Sequence, residues 1–367
     1  MKKRVLFILH LPPPVHGAGM VGQQIKTSSL INEAFESYYV NLSTSTTLNE
    51  IGSSAIKKYL TLLKILLKVF RILWTKKLDL CYVTLTAKGA GFYKDLFIVA
   101  LLKLFGKKIV FHFHNKGVLK ASRRSLNNLL YKWTFYNTSS ILLSSHLYND
   151  VKKYVRIRDV YFCPNGIADA TIEKKTCNKK GFGRFNILFL SNMMKEKGVV
   201  ILLEACKILR DRGLDFECHF VGSWSDITGP MFDKFLQQLE LREIAFAHGP
   251  KYGEEKAPYF ERADVFAFPT FYHNEAFPLV NLEAMSYSLP VISTAEGGIP
   301  DMIVDGENGF LIPSRNASLL ADRIEVLAKS PETSAKFGVA GRRRFENLYS
   351  SKEFERNFRE ILTRLTS

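Results

Sequence analysis

Two glutamates, Glu275 and Glu283, stand with seven residues between them in the stretch HNEAFPLVNLEAMSYSLPVIST. Carboxylates this close in a chain are candidates for acid–base work, and the elements that must position them can be read around them. Asp264 to Phe268 is a short apolar run that reads as a buried parallel strand, and Pro269 to Asn274 reads as a loop. Val280 to Met285 has helix character, with Pro278 at a helix start, where its missing N–H costs nothing; Pro290 to Thr294 is a second strand. In such a βαβ unit Glu275 lies at the mouth of the loop and Glu283 about a turn into the helix. That is outside the strand C-termini, where open α/β sheets bind ligands. Both acids sit on the same side of any ligand, which argues against a glycosidase pair flanking a scissile bond.

Histidines and glycines supply a second set of candidates. Lys108 to Phe113 reads as a strand that carries His112 and His114 on one face, into the loop HNKG. Such a histidine is either structural or a ligand contact at the sheet edge. After the first strand, Arg4 to Leu9, the small residues Gly17, Ala18 and Gly19 read as a loop that lets backbone approach a ligand. Gly17, Gly19 and Gly22 nearly complete a G-x-G-x-x-G fingerprint. No second strand ending in an acid follows at the required distance, so dinucleotide binding is not expected.

The charge is lopsided. Of 367 residues, with net charge +16, residues 1–168 hold 25 Lys and Arg against 7 Asp and Glu, and the remainder holds 26 against 28. The first half should therefore meet an anionic partner. Its most apolar helical segment, Ile56 to Lys77, carries Lys57, Thr61, Lys64, Lys68, Arg71 and Thr75 in one stripe. Three internal cations exclude a spanning helix. Two readings stay open: a surface helix with its apolar side in the core, or an interfacial helix whose cations meet anionic lipid head groups. Lys116, Lys120, Arg123 and Arg124 follow, among aromatic and aliphatic residues, as a further basic run or a solvated face. Basic residues with interleaved aromatics also raise nucleic-acid binding, which would leave both glutamates unexplained.

Composition bounds the rest. With 47% hydrophobic and 23% charged residues the chain is globular, and its length suits two domains. Five scattered cysteines without a C-x-x-C pair argue for a reducing compartment and against a zinc site. MKKRVLFILHLPPP imitates a signal peptide but lacks a cleavage site and reads as a buried first strand. Pro164 to Ile167 and the polar stretch Lys174 to Gly183 mark a boundary, after which the α/β rhythm restarts. Strand Phe185 to Leu190, loop SNMMKEKG and helix Val199 to Arg212 begin a second copy of one idea, a parallel sheet with crossover helices.

These residues resemble a known family. NEAFPLVNLEAMSYSLPVISTAEGGIPDMIVDGENGFLIP is similar to the E-x7-E signature block of the retaining GT-B glycosyltransferases of family four (glycosyl transferases group 1). LSNMMKEKGVVILLEA resembles that family's Gly-Arg-x(4)-Lys-Gly loop and helix, and CPNGI its Pro-Asn-Gly hinge. The likeness is strong over 160–330 and loose in the first domain. It extends to transferases of bacterial capsule, O-antigen (lipopolysaccharide) and exopolysaccharide assembly.

The resemblance implies a GT-B fold: two Rossmann-like parallel-sheet domains facing each other across a cleft. Residues 1–165 would bind acceptor, 166–348 would bind a nucleotide-diphosphate sugar, and a helix in 349–367 would pack back on the first domain. It implies a metal-independent enzyme without a cofactor (the chain has no D-x-D pair), cytoplasmic at the inner face of the cell membrane. Its partners would be a nucleotide sugar, a glycan or lipid-linked acceptor and an anionic membrane surface, with no nucleic acid. An epimerase or phosphorylase on the same fold is the alternative. By resemblance Lys197 is the phosphate partner, Glu275 accepts bonds from donor-sugar hydroxyls and His114 contacts the sugar. Backbone N–H groups of Ala276, Phe277 and Leu279 cradle the donor, Glu283 holds the ribose diol, and Gly17 and Gly19 approach the diphosphate. The chain departs from the pattern at three places: Asn192 stands at the family's arginine, Pro278 where glycine is common, and Ser288 before Leu-Pro where glycine is usual.

Overall fold

The computed structural model describes residues 2–13, 17–43, 55–169 and 183–367, with side chains from residue 59 onward in the helix that begins at Ala55. Contacts divide the chain into two units, Met1–Gly166 with Ser351–Ser367, and Ile167–Ser350.

The first unit holds strands β1 (Lys3–Leu9), β2 (Phe35–Asn41), β3 (Leu80–Thr84), β4 (Ile109–Phe113), β5 (Ser139–Leu142) and β6 (Val160–Phe162). They form one parallel sheet in the order β2-β1-β3-β4-β5-β6. Helices α1 (Gly17–Thr27), α2 (Ser29–Ala34), α3 (Ala55–Thr75), α4 (Gly89–Leu104), α5 (Val118–Ala121), α6 (Ser125–Phe135) and α7 (Tyr148–Val151) connect them. Every residue of β3 and β4 is buried, and both are mostly hydrophobic along their length and not alternating. On one face of the sheet, Ile65, Val69 and Leu73 of α3 join Val99 and Leu102 of α4 and Phe135 of α6.

The second unit repeats the plan. Strands β7 (Phe185–Leu190), β8 (Phe216–Val221), β9 (Ala245–Ala247), β10 (Val265–Phe268), β11 (Val291–Thr294) and β12 (Gly309–Ile312) pair in parallel in the order β12-β11-β10-β7-β8-β9. Helices α8 (Val199–Asp211), α9 (Gly229–Gln238), α10 (Ala257–Arg262), α11 (Leu279–Ser286), α12 (Ile299–Met302), α13 (Ala317–Lys329) and α14 (Pro331–Leu348) accompany them. The strand order reverses between β7 and β10, and such a switch point opens a crevice at the strand C-termini. The last helix, α15 (Ser351–Thr366), returns to the first unit, where Phe354, Phe358 and Leu362 share a core with Phe7 and Tyr82.

One expectation is corrected. Gly17 to Gly19 are not a loop but the first turn of α1. A Cβ at Gly22 of that helix would lie 1.9 Å from the carbonyl oxygen of His10, so glycine lets α1 press onto the end of β1. The second strand, β2, ends in no acid, as expected, and went unread because FESYYVN is largely polar and half-buried, as edge strands are. It ends in Asn41, whose Oδ1 accepts the N–H groups of Leu11 and Ser43 and so stitches loops together. Helix α4 starts at Gly89 and leaves Phe97 and Leu104 in solvent.

Candidate active site

The loops after β7 and β10, the two strands at the switch point, bring Lys197 and Glu275 together. Lys197 ends a single 3-10 turn after β7, and Gly198 follows with φ +94°. A Cβ at Gly198 would lie 2.4 Å from the carbonyl oxygen of Pro269, so glycine is needed both for the left-handed turn and for contact between the two loops. Phe271 N–H donates to the Glu196 carbonyl at 2.8 Å across the same seam. Lys197 Nζ then lies 2.6 Å from Glu275 Oε2, with both side chains largely buried. The ammonium also sits 4.7 Å from the Tyr272 ring centroid and 5.5 Å from that of Phe268, so two aromatic faces hold the cation in place. Thr270 Oγ1 approaches the same carboxylate oxygen at 3.4 Å.

The Glu275 loop is braced from behind. Gly297, with φ +57°, would put a Cβ 2.3 Å from the Glu275 carbonyl oxygen, and Gly298 N–H donates to the Ala276 carbonyl at 2.7 Å. The Gly-Gly turn after β11 is therefore a backrest for the acidic loop. Ala276 and Phe277 are buried, and the Phe277 ring packs on Tyr349 at 5.9 Å, leaving only its backbone for a ligand. Leu279 is the first residue of α11, whose N-terminus carries no side-chain cap; the same is true of α8 at Gly198. Uncapped helix N-termini present N–H donors and positive dipole ends to an anion.

Glu283 lies in α11 and meets Lys256, of the 3-10 turn before α10, through a close ion pair on Oε1. Its Oε2 is buried and accepts no hydrogen bond. Sequence reasoning missed Lys256, Thr270 and Tyr272. A pairing across 27 residues leaves no local spacing signal, whereas Thr270 and Tyr272 sit in the loop already named.

The other predicted residues lie elsewhere. Asn192, on the loop after β7, is exposed, so no charge replaces the family's arginine there. His114 follows β4 in the first unit, its ring 4.2 Å from that of His112. His112 is fully buried, with Nδ1 2.8 Å from Tyr82 Oη and Nε2 without a partner. Burial, and then the neighbouring His114, push the His112 imidazole well below its ordinary range, so it is held neutral. Gly19 is buried in α1 and Gly17 exposed. Lys64, Lys68, Arg71, Lys120, Arg123 and Arg124 are exposed and Lys116 is half-buried, while the Lys57 side chain lies outside the described residues. A depression of 350 Å³ lined by Lys2, Arg4, Glu36, Lys77 and Asp79 collects none of the candidates.

A parallel sheet with a switch-point ion pair beside uncapped helix N-termini defines an α/β, two-unit GT-B protein, and comparison of whole structures agrees. Sucrose-phosphate synthase from Thermosynechococcus elongatus superposes with a TM-score of 0.76 at 18% identity, over 99% of both chains. Anabaena HepE, solved in complex with UDP, does so with a TM-score of 0.76 at 15% identity, over 98% of this chain and 100% of that one. These likenesses establish the fold. In sequence, residues 171–344 match the model of the family described as glycosyl transferases group 1. A D-inositol 3-phosphate glycosyltransferase of Arthrobacter sp. (strain FB24) is 31% identical over 160 residues, 43% of this chain and 38% of that protein. The capsular polysaccharide biosynthesis glycosyltransferase CapM of Staphylococcus aureus is 28% identical over 168 residues, 46% of this chain and 43% of its own. The chain thus matches less than half the length of these curated relatives.

Proposed function

We propose that the protein is a retaining glycosyltransferase that moves a sugar from a nucleotide-diphosphate sugar to a glycan or lipid-linked oligosaccharide in surface-polysaccharide synthesis. The observation that carries this reading is the buried 2.6 Å pair of Lys197 and Glu275 at the switch point, beside two uncapped helix N-termini. A nucleotide diphosphate brings about two negative charges, which a lysine and helix N–H groups can receive without a metal. The same groups stabilise charge as it develops on the leaving diphosphate. When the diphosphate takes up the Lys197 ammonium, Glu275 is released to accept hydrogen bonds from donor-sugar hydroxyls. Glu283 presents its unpartnered Oε2 to the ribose diol, as a carboxylate does in dinucleotide sites, while Lys256 holds Oε1. Glu275 and Glu283 share one loop-helix unit, so neither is placed as a nucleophile opposite a general acid. Front-face departure and attack suits this arrangement. His114 is assigned to the donor sugar through the family likeness. The relative CapM, named for capsular polysaccharide biosynthesis, supports the glycan acceptor, and the UDP bound by HepE supports a nucleotide-linked donor.

The test is incubation with a panel of UDP-, GDP- and ADP-sugars and acceptor glycans, scored by release of free nucleotide and by the anomeric configuration of the product. Acceptor-dependent release with a retained anomer is expected. Sugar isomerisation without nucleotide release, or release driven by inorganic phosphate, would replace the proposal with an epimerase or a phosphorylase.

A further inference from the structure

Apolar residues cover the outer surfaces of three neighbouring crossover helices in the first unit. On α3 the residues Leu60, Leu63, Leu67, Phe70 and Trp74 recur at spacings of three and four and are all exposed, Trp74 to 74%. This row lies opposite the buried Ile65, Val69 and Leu73, so the helix is apolar on two sides, only one of which is in the core. Lys64, Lys68 and Arg71 form a row directly beside the exposed apolar one. On α4 the exposed side chains are Tyr93, Phe97 and Leu104, with Leu104 exposed to 81%. Leu126, Leu129 and Trp133 continue the surface on α6.

The three helices form one continuous surface. Phe70 of α3 packs edge-on against Phe105, at the end of α4, at 5.7 Å. Lys103 of α4 lies over the Trp133 ring of α6 at 5.5 Å, and Tyr93 donates to Asn127 Oδ1 at 2.6 Å. An exposed apolar surface of this extent, rimmed by charge, marks an interaction site.

Its charge selects the occupant. Between residues 55 and 136 the acids are Asp79 and Asp95 alone; Asp95 is fully buried, and Asp79 bonds to the backbone N–H of Arg4. A second copy docked face to face would set lysine against lysine with no carboxylate between them. We propose that this surface seats in an anionic lipid bilayer, with the apolar rows entering the acyl boundary. Lys64, Lys68, Arg71, Lys120, Arg123, Arg124 and Lys132 would meet lipid head groups around them. No helix among the described residues is long and apolar enough to cross a membrane, so the contact is one of lying on the surface. The surface belongs wholly to the first unit and is independent of the donor chemistry assigned to the second.

The three tryptophans of the chain make the test direct, since Trp74 and Trp133 lie on this surface and Trp224 lies in the second unit. Full-length protein would be floated with vesicles of phosphatidylglycerol or of phosphatidylcholine. In a Trp224→Phe background, Trp fluorescence would be followed with lipids brominated along the acyl chain. Flotation with phosphatidylglycerol but little with phosphatidylcholine is expected, together with bromine quenching of the two remaining tryptophans. A Leu63→Ser/Leu67→Ser/Phe97→Ser variant, altered only at exposed positions and checked by an unchanged melting curve, should partition about tenfold less, as loss of interfacial apolar area requires. Lys64→Glu/Lys68→Glu/Arg71→Glu should lose the preference for anionic vesicles. Equal recovery with both lipids, absence of quenching, or a dimer in solution that the serine variant dissociates would each overturn the proposal. Nucleotide release from donor sugar by the serine variant, measured without vesicles, should match wild type, so failure here is separable from failure of the donor site.

Discussion

The two units repeat one six-stranded parallel architecture and treat charge in opposite ways. In the second, cations are matched to acids: Arg212 pairs with Asp322 and Glu325, Arg342 with Asp169 and Glu346, and Lys207 with Asp211 on the surface, while Lys197–Glu275 pairs at the switch point. In the first, a basic stretch has almost no acids to meet it, and its strand-end histidine is buried and neutral. The same sheet thus supports a buried, charge-paired cluster in one copy and a basic, outward-facing surface in the other. Function resides in side chains carried by the fold and not in the sheet itself.

The largest effect expected from breaking this contrast is at the buried pair. Lys197→Ala should cut turnover about 10²–10³-fold, the usual result of removing one electrostatic donor from a leaving-group site, and steady-state kinetics on the best donor will measure it. Arg212→Ala, which removes the surface pairs with Asp322 and Glu325, should leave turnover unchanged and barely move the midpoint of a denaturant titration. Next in size, Glu283→Gln should raise the donor KM roughly tenfold or more, corresponding to about 1.5–3 kcal/mol for hydrogen bonds to a charged group, with a smaller change in kcat.

In the first unit the expected effect is on folding. Native His112 stays neutral, while the unfolded imidazole takes up a proton near its ordinary value of 6.5. The unfolded state therefore binds more protons below that pH, so stability is fully present above it and falls as the pH drops. The slope approaches about 1.4 kcal/mol per pH unit for one proton. Burial lowers His219 and His248 of the second unit in the same direction. The term due to His112 is thus the difference between wild type and His112→Gln in unfolding titrations at pH 5.5 and 7.5. The smallest effect belongs to Ser288, whose φ of +56° places a side chain in left-handed backbone. Ser288→Gly should raise the melting temperature, corresponding to about 0.5–1 kcal/mol, because glycine pays no steric cost there but loses more chain entropy.

The contrast also explains which parts were legible in the sequence. A buried parallel strand such as β10 is an unbroken apolar run, and the loop-helix of Glu275 carries a long motif. Both could be read without coordinates. The half-polar β2 and the helical turn at Gly17 could not, because an edge position and a helix packed onto a strand leave no apolar period. Ser288 is a different lesson: its departure from glycine was visible, and the left-handed backbone gives the physical reason glycine is usual there. Lys256 was invisible, since its partner Glu283 is brought near only by the fold. The outward surface of α3 and α4 was half legible: the cations showed in the sequence, but which apolar residues face solvent depends on where the sheet lies.

The central claim is that Lys197 and Glu275 form a donor-diphosphate site. Calorimetric titration of the nucleoside diphosphate released in the donor screen tests it most directly, with wild type, Lys197→Ala and Glu275→Gln compared at fixed salt. The account predicts binding to wild type, a loss of about tenfold or more in Lys197→Ala, as a charge-assisted phosphate contact requires, and undiminished affinity in Glu275→Gln, where the lysine no longer has a competing carboxylate. Equal affinity in wild type and Lys197→Ala would contradict it.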